Sequence, residues 1–144
     1  MPSVVHSEGI VGQSGGSHKE HMIVTILIAD DDQVYRTFLR RILLRNPDVA
    51  AVAEAGDAEE AVGIARRMRP DVILTDFDMP GPDGLEVARH LKNESNGARV
   101  IFLASIAGEA VQKAARKYGA DACVRKDLEI SQLITVIRQL AEAA

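Results

Sequence analysis

Short apolar runs alternate with longer amphipathic stretches from Ile23 onward. The apolar runs are rich in Val, Ile and Leu and are continuous rather than interrupted by polar residues, which is typical of strands buried on both faces of a parallel sheet. The pattern predicts five strands, at residues 23–29, 49–53, 72–75, 100–103 and 122–124.

The amphipathic stretches between these runs predict five helices, at residues 33–45, 58–68, 85–91, 108–118 and 131–142. The apolar positions of the first stretch are predicted to share one helical face; they are Val34, Phe38, Leu39, Ile42 and Leu43. Gly119 follows the fourth stretch and is predicted to cap its carboxyl end. Helices of this length between parallel strands form right-handed crossovers, so we predict an α/β fold with a doubly wound, five-stranded parallel sheet.

Residues 1–22 show a different pattern. They contain several Gly and Ser residues and no sustained hydrophobic period, so we predict a flexible N-terminal extension. Residues 23–144 form the predicted folded domain, which is long enough to bury a core without disulfides or structural metal. Apolar residues make up 47% and charged residues 26% of the chain, as in ordinary globular proteins.

Composition narrows the class of function. The formal net charge of -4 disfavours direct binding of nucleic acid, which needs a concentrated basic face. The single cysteine, Cys123, excludes an internal disulfide and favours a reducing compartment. No apolar run approaches the ~18 residues of a membrane span, and no secretory signal is evident at the start. We therefore expect a cytoplasmic protein without membrane attachment.

Acidic residues follow two of the predicted strands. Asp30, Asp31 and Asp32 come after the first strand, and Asp76 and Asp78 come after the third. Because ligands of doubly wound sheets bind at the carboxyl ends of the strands, these side chains are expected to meet. Carboxylate oxygens without His or Cys favour a hard cation, and Mg²⁺ binds one or two carboxylates while keeping sites open for phosphate oxygens.

Phosphoryl transfer requires a nucleophile and positive charge around the transferred group. Asp76 is the predicted nucleophile, since aspartate can form an acyl phosphate and Asp76 follows a central buried strand. Lys126, after the fifth strand, would supply an ammonium group to the phosphate. Two alternatives stay open: Asp32 could be a helix N-cap, and Lys126 could be a surface lysine of a loop. Cys123 is interpreted as a small core residue.

Two segments resemble the receiver domain of two-component response regulators. Residues 70–84, PDVILTDFDMPGPDG, match the phosphorylation loop of that family, and residues 119–127, GADACVRKD, match its last strand and lysine. The resemblance extends over residues 23–142 and includes Arg36, five residues beyond Asp31. It implies a flavodoxin-like strand order 2-1-3-4-5 and identifies residues 23–144 as a receiver domain.

The resemblance also implies roles for the site residues. Asp76 is the phosphoacceptor. Mg²⁺ is bound by Asp30, Asp31 and Asp76 together with the backbone carbonyl of Asp78. Lys126 binds the phosphate. Such a domain is a signalling module rather than an enzyme.

Partners follow from the same resemblance. The phosphate donor would be a sensor histidine kinase or a phosphotransfer protein. Asp127, directly after the lysine, resembles the subfamily with helix-turn-helix outputs, so we expect a downstream protein or an output domain outside these residues. A surface near the fourth and fifth helices would change partners, and a homodimer through these helices is one form of that change.

Two switch positions depart from the family pattern. Family spacing counted back from Gly119 and Lys126 places the phosphate-sensing Ser or Thr position on Ala104, which lacks a hydroxyl group. A one-residue bulge would bring Ser105 into that phosphate-binding position instead. The aromatic switch position falls on Cys123.

Two other functions are considered. Replacement of both switch residues is compatible with a receiver-like module that binds partners without being phosphorylated. The sequence Asp76-Phe77-Asp78 also has the Asp-x-Asp spacing of haloacid-dehalogenase-like phosphatases, in which the first Asp is the nucleophile and the second a general acid. The position of the motif in mid-chain, and the presence of Asp30 and Asp31, argue against the phosphatase.

Overall fold

The computed structural model describes residues 23–77, 89–93, 97–105 and 108–142. In chain order the elements are β1 (Val24–Ala29), α1 (Gln33–Leu43), β2 (Val49–Ala55), α2 (Ala58–Met68), β3 (Val72–Asp76), helical residues 89–93 (α3), β4 (Arg99–Ala104), α4 (Glu109–Lys117), β5 (Ala122–Arg125) and α5 (Ile130–Glu142). The five strands form one sheet in the order β2-β1-β3-β4-β5, with every adjacent pair parallel. The predicted doubly wound α/β fold, with its strand order and five helices, is confirmed.

Element boundaries agree with the hydrophobic pattern to within about two residues, which is the usual uncertainty of helix ends. α1 ends at Leu43, two residues before its predicted end, and Leu44 is its C-cap. Of the third predicted helix, residues 89–91 are helical and residues 85–88 lie outside the described residues. The predicted extension, residues 1–22, also lies outside them. No helix in the described part of the chain is long and apolar enough to cross a membrane.

The core consists of two apolar layers, one on each face of the sheet. Because side chains alternate along a strand, Leu27 and Phe102 point to one face and pack with residues of α2, α3 and α4. Ile28 and Leu103 point to the other face and pack with α1 and α5. On α1 the buried residues are Leu39 and Leu43, whereas Val34 and Phe38 are 80% and 54% exposed, so the predicted apolar face was wrong at these two positions. Burying an aliphatic side chain of this size contributes ~1.5–3 kcal/mol. The two layers therefore hold the sheet rigidly between the helices.

Carboxylates fasten the amino-terminal edge of the sheet. Asp71, just before β3, accepts hydrogen bonds from the Thr25 backbone N–H (2.9 Å) and the Thr25 hydroxyl (3.2 Å). Asp121, just before β5, accepts hydrogen bonds from the Val100 N–H (2.8 Å) and the Lys92 ammonium (2.5 Å). Bonds that involve a charged group stabilise more than neutral ones, so these contacts fix the relative position of neighbouring strands.

Local caps fix the start of α1 and the end of α4. The Asp32 carboxylate accepts hydrogen bonds from the backbone N–H groups of Val34 (3.1 Å) and Tyr35 (3.2 Å), which identifies Asp32 as the N-cap of α1. Gly119 has φ +90° after the carboxyl end of α4, and its N–H donates to the Arg116 carbonyl. The N-cap alternative for Asp32 is therefore confirmed, and Gly119 follows the C-cap Tyr118 in the left-handed conformation expected of a capping glycine.

Candidate functional site

Three aspartates meet at the carboxyl ends of two neighbouring strands. Asp30 directly follows β1 and Asp76 ends β3, and the strands are paired so that Ala29 lies opposite Thr75. With Asp31, they place one carboxylate oxygen each within 4.8 Å of one another. Asp30 is 0% exposed and Asp76 5%, whereas Asp31 is exposed. The structure thus brings together three of the four predicted metal ligands; the fourth, Asp78, lies outside the described residues.

Lys126 faces this acidic cluster from the end of β5. Its ammonium nitrogen lies 2.8 Å from Asp30 Oδ2 and 3.5 Å from Asp76 Oδ1. The backbone N–H of Lys126 donates to the Ala104 carbonyl (2.9 Å), which places the residue over the end of β4. Burial alone lowers the pKa of Lys126, but close contact with Asp30 and the charge of Asp76 outweigh it and raise the pKa above its ordinary value.

The three carboxylates fit a hard cation. Asp30 Oδ1 accepts a hydrogen bond from the Asp32 N–H (2.9 Å), but Oδ2 is the one buried side-chain oxygen or nitrogen of the described residues without a hydrogen bond. The Lys126 ammonium lies 2.8 Å from Oδ2, and the two charges form an ion pair. At 4.8 Å and an effective dielectric near 20, each pair of carboxylates repels by ~3 kcal/mol. The Lys126 ammonium compensates Asp30 and Asp76, and Mg²⁺, with ligands that include Asp31, would compensate the cluster as a whole.

An aromatic ring lies against the lysine. The ammonium nitrogen of Lys126 is 4.8 Å from the ring centroid of Tyr35, a distance typical of a cation–π contact. Burial raises the pKa of the half-buried Tyr35, the positive charge of Lys126 lowers it, and the nearby carboxylates of Asp30 and Asp76 raise it further. Sequence analysis missed Tyr35. Its position three residues after the N-cap of the helix that follows the acidic run was the available signal.

A second charged network holds the backbone of Asp30. Arg36 Nη1 donates to the Asp30 carbonyl (2.8 Å), and Arg36 Nε donates to Glu54 Oε1 on β2 (3.0 Å). The Glu54 carboxylate also accepts hydrogen bonds from Arg40 Nε (2.7 Å) and the Thr37 hydroxyl (3.2 Å). The network therefore ties α1, β1 and β2 together beside the acidic cluster. Glu54 was not predicted from the sequence, because a single Glu within an apolar strand belongs to no recognisable motif.

Of the predicted switch positions, Ala104 lies at the end of β4 and Cys123 lies within β5. Ala104 is the last residue of β4, is buried, and pairs with Arg125 in a register without irregularity. The strand therefore shows no bulge as far as Ala104, and Ser105 is the exposed residue that follows it. Cys123 pairs with Phe102 and is half buried, and burial raises the pKa of its thiol. Neither Ala104 nor Cys123 carries a hydroxyl group or an aromatic ring.

Phe77 lies near these positions. Its ring packs edge-to-face on Phe102, with centroids 5.3 Å apart and an interplanar angle of 83°. Phe77 directly follows Asp76, and Phe102 lies in β4. The pair therefore connects the residue after the predicted phosphoacceptor to the strand that ends at Ala104.

The fold and the acidic cluster match one class of signalling protein. Residues 26–138 match the family model described as the response regulator receiver domain. The chain belongs to this family of two-component signalling domains.

Known proteins support the assignment. The chain is 34% identical over 117 residues to the nitrate/nitrite response regulator NarL of Escherichia coli K12, covering 81% of this chain and 54% of NarL. It is 33% identical over 122 residues to the chemotaxis protein CheY of Halobacterium salinarum, covering 85% of this chain and 100% of CheY. The chain thus spans about half the length of the first of these relatives and all of the second.

A solved structure adds a geometric comparison. It is a response regulator protein from Burkholderia pseudomallei with a phosphorylated aspartic acid, a calcium ion and citrate. It superimposes with a TM-score of 0.73 at 26% identity, and the match covers 83% of this chain and 69% of the other.

Proposed function

We propose that this receiver domain accepts a phosphoryl group on Asp76 and changes its protein contacts in response. The observation that carries the proposal is the cluster of Asp30, Asp31 and Asp76 facing the Lys126 ammonium. The structure from Burkholderia pseudomallei supports it, because that relative carries a phosphorylated aspartate together with a divalent cation.

Each residue of the cluster has a task in this reaction. A carboxylate oxygen of Asp76 attacks the phosphorus atom, and the bond from phosphorus to the donor breaks as the acyl phosphate forms. Asp30 and Asp31, with Asp76 and the backbone carbonyl of Asp78, would hold Mg²⁺. When bound, the metal would supply positive charge to the phosphoryl oxygens. Lys126, whose ammonium lies beside Asp30 and Asp76, supplies a further positive charge.

Both the phosphoryl donor and the downstream partner of this domain would be proteins. A sensor histidine kinase or a phosphotransfer protein would supply the phosphoryl group. The charge added at Asp76 would alter the loops at the carboxyl ends of β3 and β4, and thereby a surface near α4 and α5 that binds a downstream protein, an output domain or a second copy.

One observation favours a second candidate function. Ala104 is buried at the end of β4 without a hydroxyl group, and the half-buried Cys123 replaces the family's aromatic switch residue. A receiver-like module that binds its partner without phosphorylation would need neither switch residue. The two functions differ in whether Asp76 must be modified.

Phosphorylation by a small donor separates the candidates. The whole chain is incubated with Mg²⁺ and acetyl phosphate and examined by intact-mass spectrometry. We expect one added phosphoryl group per chain, abolished by Asp76→Asn and retained in the control Asp57→Asn, since Asp57 caps α2 instead. Continued release of many phosphates per chain would favour the Asp-nucleophile phosphatase. If the chain binds Mg²⁺ but is labelled neither by acetyl phosphate nor by phosphoramidate, the phosphorylation-independent module becomes the better description.

A further inference from the structure

The Lys126 ammonium is held by two kinds of contact. The carboxylates of Asp30 and Asp76 attract it at 2.8 and 3.5 Å, and the ring of Tyr35 lies 4.8 Å away. A lysine has a long, flexible stem with several rotamers, so a single attraction fixes its charge poorly. The ring adds a third contact that restricts the ammonium.

These contacts respond differently to a cation in the site. A metal ion on Asp30 and Asp76 would take up much of the negative charge that holds the lysine, and it would also repel the ammonium. The attraction between the ring of Tyr35 and the ammonium depends on the ring electrons and persists. The ring contact therefore supplies a larger share of the attraction that holds the ammonium when the carboxylates bind metal.

We infer that Tyr35 is a positioning residue that keeps the Lys126 ammonium at the mouth of the acidic cluster, ready for an incoming phosphoryl group. The inference rests on the proposed function of Asp76. It assigns the task to the aromatic ring and not to the phenol hydroxyl group.

The first turn of α1 is well suited to hold such a ring. The backbone N–H of Tyr35 donates to the N-cap Asp32, and the next residue, Arg36, is fastened to the Asp30 carbonyl and to Glu54. One turn further, Leu39 is fully buried in the core. The ring thus projects from an anchored helix rather than from a loop, and can place a charge with little freedom of its own.

The end of β4 makes the position of Lys126 more important. Ala104 offers no side-chain donor to a phosphoryl oxygen, and the exposed Ser105 follows without a bulge in the paired strand before it. Stabilisation of the negative charge on the transferred phosphoryl group therefore depends more heavily on the Lys126 ammonium. A fixed ammonium costs less reorganisation when the group arrives.

The test compares three variants of the whole chain. Tyr35→Phe keeps the ring, Tyr35→Leu removes it but keeps an apolar side chain, and Tyr118→Leu is the matched control. Tyr118 is the other tyrosine of the sequence, and its ring contacts Arg89 and Lys117 at 5.4 and 5.8 Å. We expect Tyr35→Leu to slow labelling by acetyl phosphate about two- to fivefold, the range of a partly exposed cation–π contact, while Tyr35→Phe and Tyr118→Leu match the wild type.

A second readout does not depend on phosphorylation. A ring beneath the ammonium shifts the ε-methylene protons of Lys126 upfield in NMR spectra through its ring current. We expect this shift in the wild type and in Tyr35→Phe, with and without Mg²⁺, and its loss in Tyr35→Leu.

Several results would overturn the inference. The first is a labelling rate of Tyr35→Leu equal to that of the wild type. The second is a labelling rate of Tyr35→Phe as low as that of Tyr35→Leu. The third is a wild-type spectrum without the upfield shift. If Tyr35→Leu fails to fold by circular dichroism, ring-fluorinated phenylalanines at position 35 replace it. Their labelling rate should fall as fluorine withdraws electrons from the ring, and a flat series contradicts the inference. If the wild type itself is not labelled, the proposed function fails, while the upfield shift still decides whether the ring holds the lysine.

Discussion

Replacing Lys126 with Met should destabilise the metal-free domain by about 3 kcal/mol. The substitution leaves the fully buried carboxylate of Asp30 without its counter-charge. At an effective dielectric near 20, a charge 2.8 Å away attracts by ~6 kcal/mol and one 3.5 Å away, as at Asp76, by ~5 kcal/mol. Desolvation offsets much of this, and because the Lys126 side chain is 21% exposed, solvent screens part of the remainder.

Denaturant unfolding followed by circular dichroism measures this loss. Urea titrations in EDTA at neutral pH should give a lower midpoint for Lys126→Met with an unchanged slope, and the melting temperature should fall by roughly 10 °C. Lys113→Met is the matched control, since Lys113 is exposed on α4, and it should stay within about 0.5 kcal/mol of the wild type.

Mg²⁺ should recover most of the lost stability in Lys126→Met. A cation at 100 times its dissociation constant stabilises the folded state by about 2.7 kcal/mol. Removing the ammonium also removes a repulsive neighbour, so the variant should bind Mg²⁺ more tightly than the wild type. A variant as stable as the wild type in EDTA would refute the view that Lys126 compensates Asp30.

The pH dependence of this difference follows from the pKa of Lys126. A raised pKa means that the folded state holds the proton more tightly, so the stabilisation is complete below the ordinary value of 10.5. It is lost as the pH rises through the higher folded-state pKa. The difference between wild type and Lys126→Met should therefore be constant from neutral pH to about pH 10 and shrink above it.

Three further outcomes are expected. Asp32→Ala should lower the free energy of unfolding by ~1 kcal/mol through loss of the α1 cap, yet Mg²⁺ affinity measured by titration calorimetry should change little; a loss as large as that of Asp31→Ala would place Asp32 among the ligands. Glu54→Ala should cost about 2 kcal/mol in urea unfolding, because it leaves two partly buried arginines without their shared partner, and an unchanged midpoint would contradict this. Cys123 should react slowly with a thiol reagent near pH 8, because burial raises its pKa, and accelerate on unfolding in guanidinium; equal rates in both conditions would contradict burial of the thiol.

The hydrophobic pattern was sufficient to predict a doubly wound parallel sheet, and the resemblance to the receiver family supplied the strand order. Continuous apolar runs are specific for strands covered on both faces, and the amphipathic stretches between them leave few ways to connect a parallel sheet. Charged residues at strand ends then indicated the site, because Asp30, Asp76 and Lys126 follow strands whose carboxyl ends share one edge of the sheet. These predictions needed the order of the elements and the side chains at the strand ends, but no side-chain directions.

Contacts that depend on side-chain direction could not be predicted in the same way. Tyr35 lies in an amphipathic helix, where its spacing alone is that of an ordinary core position. Glu54 lies in a strand, and only the packing of α1 against β2 brings Arg36 and Arg40 to its carboxylate. Asp32 had two interpretations from sequence, and the N-cap hydrogen bonds decided between them.

Acidic residues serve opposite ends of the sheet for different purposes. At the amino-terminal edge, Asp71 and Asp121 are occupied by backbone N–H groups and by Lys92, and they hold neighbouring strands in register. At the carboxyl-terminal edge, Asp30 and Asp76 belong to the carboxylate cluster that could hold a cation. Removing a carboxylate at the first edge should lower the amount of folded protein in a cell, whereas Asp76→Asn at the second edge should leave a normal amount of silent protein. Evolution can therefore retune the signal at one end of the sheet without losing the alignment of strands at the other.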